Sequence, residues 1–179
     1  MTHENTIYKD ALTSAMTFLG EQDNTMFIGQ QIVYAGNPMS TTLDYVSKDK
    51  MIELPVMEET QMGMSLGIAM TGKTVITFYP RWDFIILAAN QLINHIDKFK
   101  LMSDKQVNIL IRLGKGSDKP LDPGHQHKGN YLEEFKSLCP NIKFHDLKDH
   151  SIIENKYKEA YFQGGVHVLV EYSELYYAN

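Results

Sequence analysis

The sequence predicts an α/β protein whose parallel sheet is covered by helices on both faces. Two observations lead there. Segments with apolar residues at helical spacing alternate with short apolar runs along most of the 179 residues, the pattern of successive strand–helix units. One run, Val107 to Leu113, is continuously apolar apart from Asn108 and Arg112, as expected of a strand buried on both faces.

Ile7 to Leu19 places Ala11, Leu12, Ala15, Met16 and Leu19 on one helical face, and Gly20 ends it. Met26-Phe27-Ile28 reads as a buried strand ending at Gly29. Tyr34 to Lys50 holds Gly36, Asn37, Pro38, Ser40, Thr41 and Thr42 and is expected to be a loop. Met51 to Val56 is a second strand, and Met57 to Met70 a helix. Thr74-Val75-Ile76-Thr77-Phe78 is a strand flanked by Gly72 and Pro80. Trp82 to Met102 is expected as one long helix with Ile85, Ile86, Ala89, Leu92, Ile93 and Ile96 as its buried stripe. After the Val107–Leu113 strand, Gly114 to Gly129 is rich in Gly, Pro, Asp, Lys and His. A loop of that length inside a compact fold is usually functional or disordered. Tyr131 to Leu138 (helix), Ile142 to Leu147 (strand), His150 to Gln163 (helix) and Val166 to Glu171 (strand) complete the alternation.

The length fits a single domain spanning 1–179 and suffices to bury a core. A net charge of −5, with only Arg81 and Arg112 as arginines, argues against nucleic-acid binding. No apolar run reaches the ~18 residues a membrane span needs. The polar stretch Met1 to Lys9 lacks a signal-peptide core, and Cys139 is the single cysteine, so a reducing, cytoplasmic setting is expected. Cys139 has no base beside it in sequence and is read as a packed core residue.

In parallel sheets ligands bind outside the carboxyl ends of the strands. Glu58 follows one strand end, Pro80 to Phe84 the next, and the His-bearing loop a third, so these positions share one rim. Gly63, Gly67 and Thr71 recur every four residues after Glu58, a small-residue face that lets two helices approach closely. A carboxylate beside such a seam is shielded from water, where it becomes a proton-transfer group. The plainer alternative is a Glu that complements the helix dipole beside a Gly pair that only packs.

The series Glu58, Gly63, Met64, Gly67 resembles the pyrimidine-domain signature of thiamine-diphosphate enzymes. The wider chain resembles the beta subunit of 2-oxo-acid dehydrogenase E1 components and, more loosely, the central domain of transketolases. The resemblance runs in order through Phe27-Ile28-Gly29-Gln30-Gln31, Gly67 to Gly72, Phe84 to Asn94, Met102-Ser103, Ile109 to Arg112 and Glu171 to Tyr176. It implies that Glu58 hydrogen-bonds N1′ of the cofactor's aminopyrimidine and promotes deprotonation at C2 of the thiazolium. Glu59 is left facing solvent or a partner helix. It implies that Phe84 stacks on the pyrimidine and that Val56 and Pro80 line its pocket. It also implies an active-site histidine after the Arg112 strand. Counting forward from Arg112 reaches His125, but counting back from Cys139-Pro140 does not, so His127 is a rival.

Two features depart from the family. Gln30-Gln31 stands where the E1 beta subunit has an acidic pair. The sequence shows no Gly-Asp-Gly motif with a downstream Asn pair, and it stops at Asn179, just past the last strand. A C-terminal transketolase-type domain is therefore expected to be absent. No metal ligands are assigned within this chain. The resemblance then implies the pyrimidine-binding subunit of a split enzyme. A diphosphate-binding, E1 alpha-like partner subunit would hold Mg²⁺ and share the thiamine diphosphate. The Gly63/Gly67 helix would mediate self-association in a heterotetramer. The reaction expected is decarboxylation of a 2-oxo acid. Ketol transfer between sugars, or a regulatory subunit that keeps the fold, are the alternatives.

Overall fold

The computed structural model describes residues 6–34, 36–119 and 122–177. They form a six-stranded sheet in the order β2-β1-β3-β4-β6-β5, parallel at every pairing. The strands are β1 (Thr25–Gly29), β2 (Met51–Glu53), β3 (Thr74–Tyr79), β4 (Asn108–Lys115), β5 (Lys143–Asp146) and β6 (Val166–Tyr172). The expected parallel α/β architecture is thus the observed one.

Six helical segments connect them: α1 (Ile7–Glu21), α2 (Glu58–Ala69), α3 (Trp82–Ile85), α4 (Phe99–Met102), α5 (Leu132–Leu138) and α6 (His150–Gln163). Thr6 caps α1 by accepting the Lys9 amide at 3.1 Å, and Asp149 caps α6 by accepting that of Ser151 at 2.9 Å. The pleat of β3 assigns the layers. Thr77 and Tyr79 bond to Gln61 and Glu58 of α2. Phe78, on the opposite face, lies 4.8 Å under the Arg112 guanidinium. Arg112 and Tyr157 of α6 meet on Glu171, and α1 packs on α6. One layer is therefore α1 with α6, and the other holds α2.

Two expectations change. The long helix from Trp82 is interrupted: α3 gives way to a 3₁₀ turn at Ile86–Ala88, a π-helical stretch at Gln91–Ile96, then α4. The Asp97 amide bonds the Leu92 carbonyl at 2.8 Å, one residue beyond the α-helical partner. The buried stripe runs through Ile85, Ala88, Leu92 and Ile96, while Ile86 is 46% exposed. The segment before β2 is not featureless either. It forms 3₁₀ turns at Pro38–Thr42 and Lys48–Lys50, the first closed by a reciprocal Asn37–Ser40 capping box.

Arg112, an exception in an apolar run, is fully buried. Its Nε and Nη2 donate to the Glu171 carboxylate at 2.7 and 2.9 Å, and its Nη1 to Thr42 at 3.0 Å. Tyr157 and Tyr176 also donate to Glu171. Every polar group of the pair is thereby met, which a buried charge requires. Cys139 is buried in the core, and burial pushes its thiol up to about 12, so it stays protonated and inert. His145 and His167 stack with ring nitrogens 2.9 Å apart because β5 and β6 are neighbours. Among the described residues no helix is long and apolar enough to cross a membrane.

Candidate functional site

The chain turns from β1 out to β2 and returns to β3 on the other side of β1, so the winding reverses between β1 and β3. The carboxyl ends of strands at such a reversal form a natural crevice. A cavity of about 330 Å³ lies there, lined among others by Gln31, Pro80, Arg81, Phe84, Gly114 and Tyr176. Two of the residues assigned from the sequence, Pro80 and Phe84, thus come together on its wall.

Local chemistry shapes each wall. Pro80 has no amide to continue the β3 ladder, and the chain turns into α3. Gly114 lets β4 approach that turn, since a Cβ there would sit 2.2 Å from the Pro80 carbonyl oxygen. Gln31 adopts φ 55, a left-handed conformation rare for a side chain of its size. Glu53, at the end of β2, holds it there. Its carboxylate accepts the amides of Gln31, Ile32 and Val33 at 2.6, 2.9 and 2.9 Å. Sequence reasoning missed Glu53, which carries no signal beyond a charged residue near a strand end.

The loop after β4 folds back over α3. The His127 imidazole meets the Phe84 ring edge to face with centroids 5.5 Å apart. Arg81 Nη1 donates to the His127 carbonyl at 3.4 Å, and the Gly129 amide donates to Asp83 at 3.3 Å. Lys128 pairs with Asp118 and Asp122. His127 Nδ1 is buried without a hydrogen-bond partner among the described residues, whereas His125 is exposed. Of the two rivals, His127 is the one set against Phe84. Residues 120 and 121 of this loop lie outside the described residues.

Glu58 opens α2 and is buried, at 6% exposure, within a single chain. Its main-chain oxygen accepts the Tyr79 hydroxyl at 3.1 Å, which ties it to the residue before Pro80. Burial, with the Glu58 charge adding to it, holds the Tyr79 phenol protonated well above its usual range. The Glu58 carboxylate makes no hydrogen bond or ion pair with a described residue, and it does not line the Phe84 cavity. Glu59 is exposed. Val56 is 78% exposed and also lies outside the cavity. Gln61 anchors α2 by donating to Thr77 at 2.9 Å and to the Phe78 carbonyl at 2.8 Å. On the outer side of α2, a Cβ on Gly67 would meet nothing within 4 Å. No group of three or more His, Cys, Asp or Glu side chains able to hold a metal ion converges among the described residues.

No family model matches the chain. It is similar to a pyruvate dehydrogenase E1 component subunit beta of Gracilaria tenuistipitata var. liui, 29% identical over 140 residues that cover 75% of this chain and 42% of that protein. It is also 27% identical to a mitochondrial 2-oxoisovalerate dehydrogenase subunit beta 2 of Arabidopsis thaliana, over 74% of this chain and 38% of that one. The chain spans about two fifths of the length of these relatives. Among solved structures, a split gene transketolase in an inactive beta4 tetramer superposes with a TM-score of 0.73 at 16% identity, covering 93% of this chain and 51% of that chain. At that identity the likeness is one of fold. The resemblance read from Glu58, Gly63 and Gly67 is borne out: the chain resembles the pyrimidine-type domain of E1 beta subunits.

Proposed function

We propose that this chain is the pyrimidine-binding subunit of a split thiamine-diphosphate-dependent enzyme that acts on a 2-oxo acid. One observation carries the reading. Phe84 and Pro80 wall a cavity at the strand reversal, and the main chain of Glu58, a buried residue whose carboxylate has no partner among the described residues, is tethered next to Pro80 through Tyr79. A carboxylate at the edge of a buried side chain is free to accept a hydrogen bond from a ligand. A ring nitrogen that shares its proton supplies the missing partner.

The residues present fit the pyrimidine half of the cofactor. Phe84 offers a half-buried aromatic ring for stacking, and Glu58 an acceptor in a water-poor setting. Thiamine diphosphate, when bound, supplies the carbon nucleophile that attacks the substrate carbonyl. Glu58 holds a proton at N1′ of the pyrimidine, and Phe84 fixes the ring plane. His127, with Nδ1 shielded against Phe84, holds or donates a proton on the substrate side. We assign Mg²⁺ and the diphosphate, which need carboxylate and carbonyl oxygens together, to an E1 alpha-like partner subunit. We place self-association on the Gly63/Gly67 helix α2, which is open at Gly67 and lies beside the exposed Ile86 and Leu87, to give a heterotetramer in the cytoplasm.

The test is Glu58→Gln in the enzyme assembled with its diphosphate-binding subunit. Proton–deuterium exchange at C2 of the bound cofactor, followed by NMR, should fall by orders of magnitude while the assembly keeps its size. Unchanged exchange would return the chain to a regulatory role. Turnover of sugars instead of 2-oxo acids by the wild-type pair would establish the ketol-transfer alternative.

A further inference from the structure

The Phe84 cavity has a charge pattern that the cofactor reading leaves unused. Arg81 and Lys119 line it, and no Asp or Glu is among its lining residues. The remaining polar wall is neutral and includes Gln31, Ser117 and Tyr176. Arg81 is half-buried, yet its guanidinium has no carboxylate partner among the described residues. One Nη1–H reaches the His127 carbonyl at a long 3.4 Å. The nearby acid, Asp83, is turned to the Gly129 amide. Arginine withdrawn from water is normally paired. The other arginine of this chain, Arg112, obeys that rule with a two-pronged bond to Glu171. A guanidinium presents a planar fork of donors matched to carboxylate and phosphate oxygens. Gly116 packs against this pair, since a Cβ there would lie 2.0 Å from the His127 carbonyl oxygen and 2.8 Å from Arg81 Nη1.

We infer that Arg81, with Lys119 at the rim, is an anion-binding site that holds a non-reacting acidic group of the substrate. The group is a carboxylate or a phosphate remote from the carbonyl that reacts. The assignment to substrate rests on the proposed function; anion binding itself does not. A carboxylate that departs as CO₂ loses its charge on the way to the transition state. A strong grip on it would stabilise the ground state and slow the reaction. Arg81 is therefore suited to the far end of the substrate. That end selects a 2-oxo acid with a second acidic group, or a phosphorylated ketose.

Because the chain has only two arginines, its Nε–H spectrum carries an internal control. The ¹⁵N-labelled full chain is titrated with inorganic phosphate, with malonate and with formate at constant ionic strength. The Arg81 resonance should move saturably with phosphate or malonate, while that of buried Arg112 stays in place. Arg81→Gln should weaken binding about tenfold or more, the range expected for losing a charged hydrogen-bond donor. Arg81→Lys should fall between, keeping the charge without the fork. An unmoved Arg112 resonance in each variant reports an intact fold. Preference for malonate or for phosphate names the source of the anion. Equal affinities in wild type and Arg81→Gln, or a shift of Arg112 in place of Arg81, would overturn the site. In the assembled enzyme, Arg81→Gln should raise KM more for dianionic than for monoanionic 2-oxo acids. An anion site without turnover of any such acid would refute the activity and leave the site standing.

Discussion

His127 and Phe84 form one unit: the imidazole edge lies against the phenyl ring at 5.5 Å between centroids, and Arg81 holds the His127 carbonyl. The loop after β4 is thus registered on α3, on the wall where the pyrimidine is proposed to stack. His127 is thereby packed on the aromatic wall of the cavity, whereas His125 is exposed.

This arrangement ranks the two histidines. In the assembled enzyme His127→Ala should lower kcat by about 100-fold, the lower end for loss of a positioned proton donor. The loss for His125→Ala should be at least about tenfold smaller. Steady-state kinetics on both variants decides it, and the reverse order would return the role to His125.

Arg112 and Glu171 are both fully buried and bonded through two oxygens. Arg112→Met strands the Glu171 carboxylate beside Tyr157 and Tyr176. Unfolding in urea should show a loss of about 3–5 kcal/mol, the range for breaking a buried pair by removing one partner. A loss under about 1 kcal/mol would mean that the pair behaves like a solvated one.

His145 titrates differently in the two states of the chain. Burial, then the adjacent His167, holds its pKa down to about 4 in the fold, against 6.5 when exposed. Between those values the unfolded chain carries the extra proton, so stability is complete above pH 6.5 and declines as pH falls toward 4. The decline should be on the order of 2 kcal/mol, since His145 is partly exposed. Urea midpoints at several pH values should show the slope, and His145→Gln should flatten it. An unaltered slope would place the titration elsewhere.

The open Gly67 face separates folding from assembly. A Cβ at Gly67 would meet nothing within 4 Å among the described residues, and Gly67→Leu removes a poor helix former, so the isolated chain should gain about 0.5–1 kcal/mol. If α2 is the seam, sedimentation should show the self-association lost. An assembly of unchanged size would move the seam elsewhere.

How much of this was legible in advance varies by element. The strands were legible because each is a short apolar run between breakers, and their parallel pairing followed from alternation with helices. The helix from Trp82 was misread as continuous. Its apolar spacing suits an α-helix throughout and carries no mark of the π-helical shift at Leu92–Asp97. Pro80 and Phe84 were placed together by order along the rim. Glu53 and its grip on Gln31 were invisible, because the contact joins residues from separate strands. So was the His145–His167 stack, which exists only because β5 lies beside β6.

By itself the sequence determined the strand–helix alternation, hence the parallel sheet and the rim on which Glu58, Phe84 and the histidine loop fall. Those follow from periodicity and chain order, which are local and one-dimensional. Tertiary structure alone decided which histidine meets Phe84, which arginine is neutralised by Glu171, and that Arg81 stands beside a cavity with no carboxylate partner among the described residues. Each of these depends on distances between residues far apart in the chain, and charge and hydrogen bonding act across space irrespective of sequence separation.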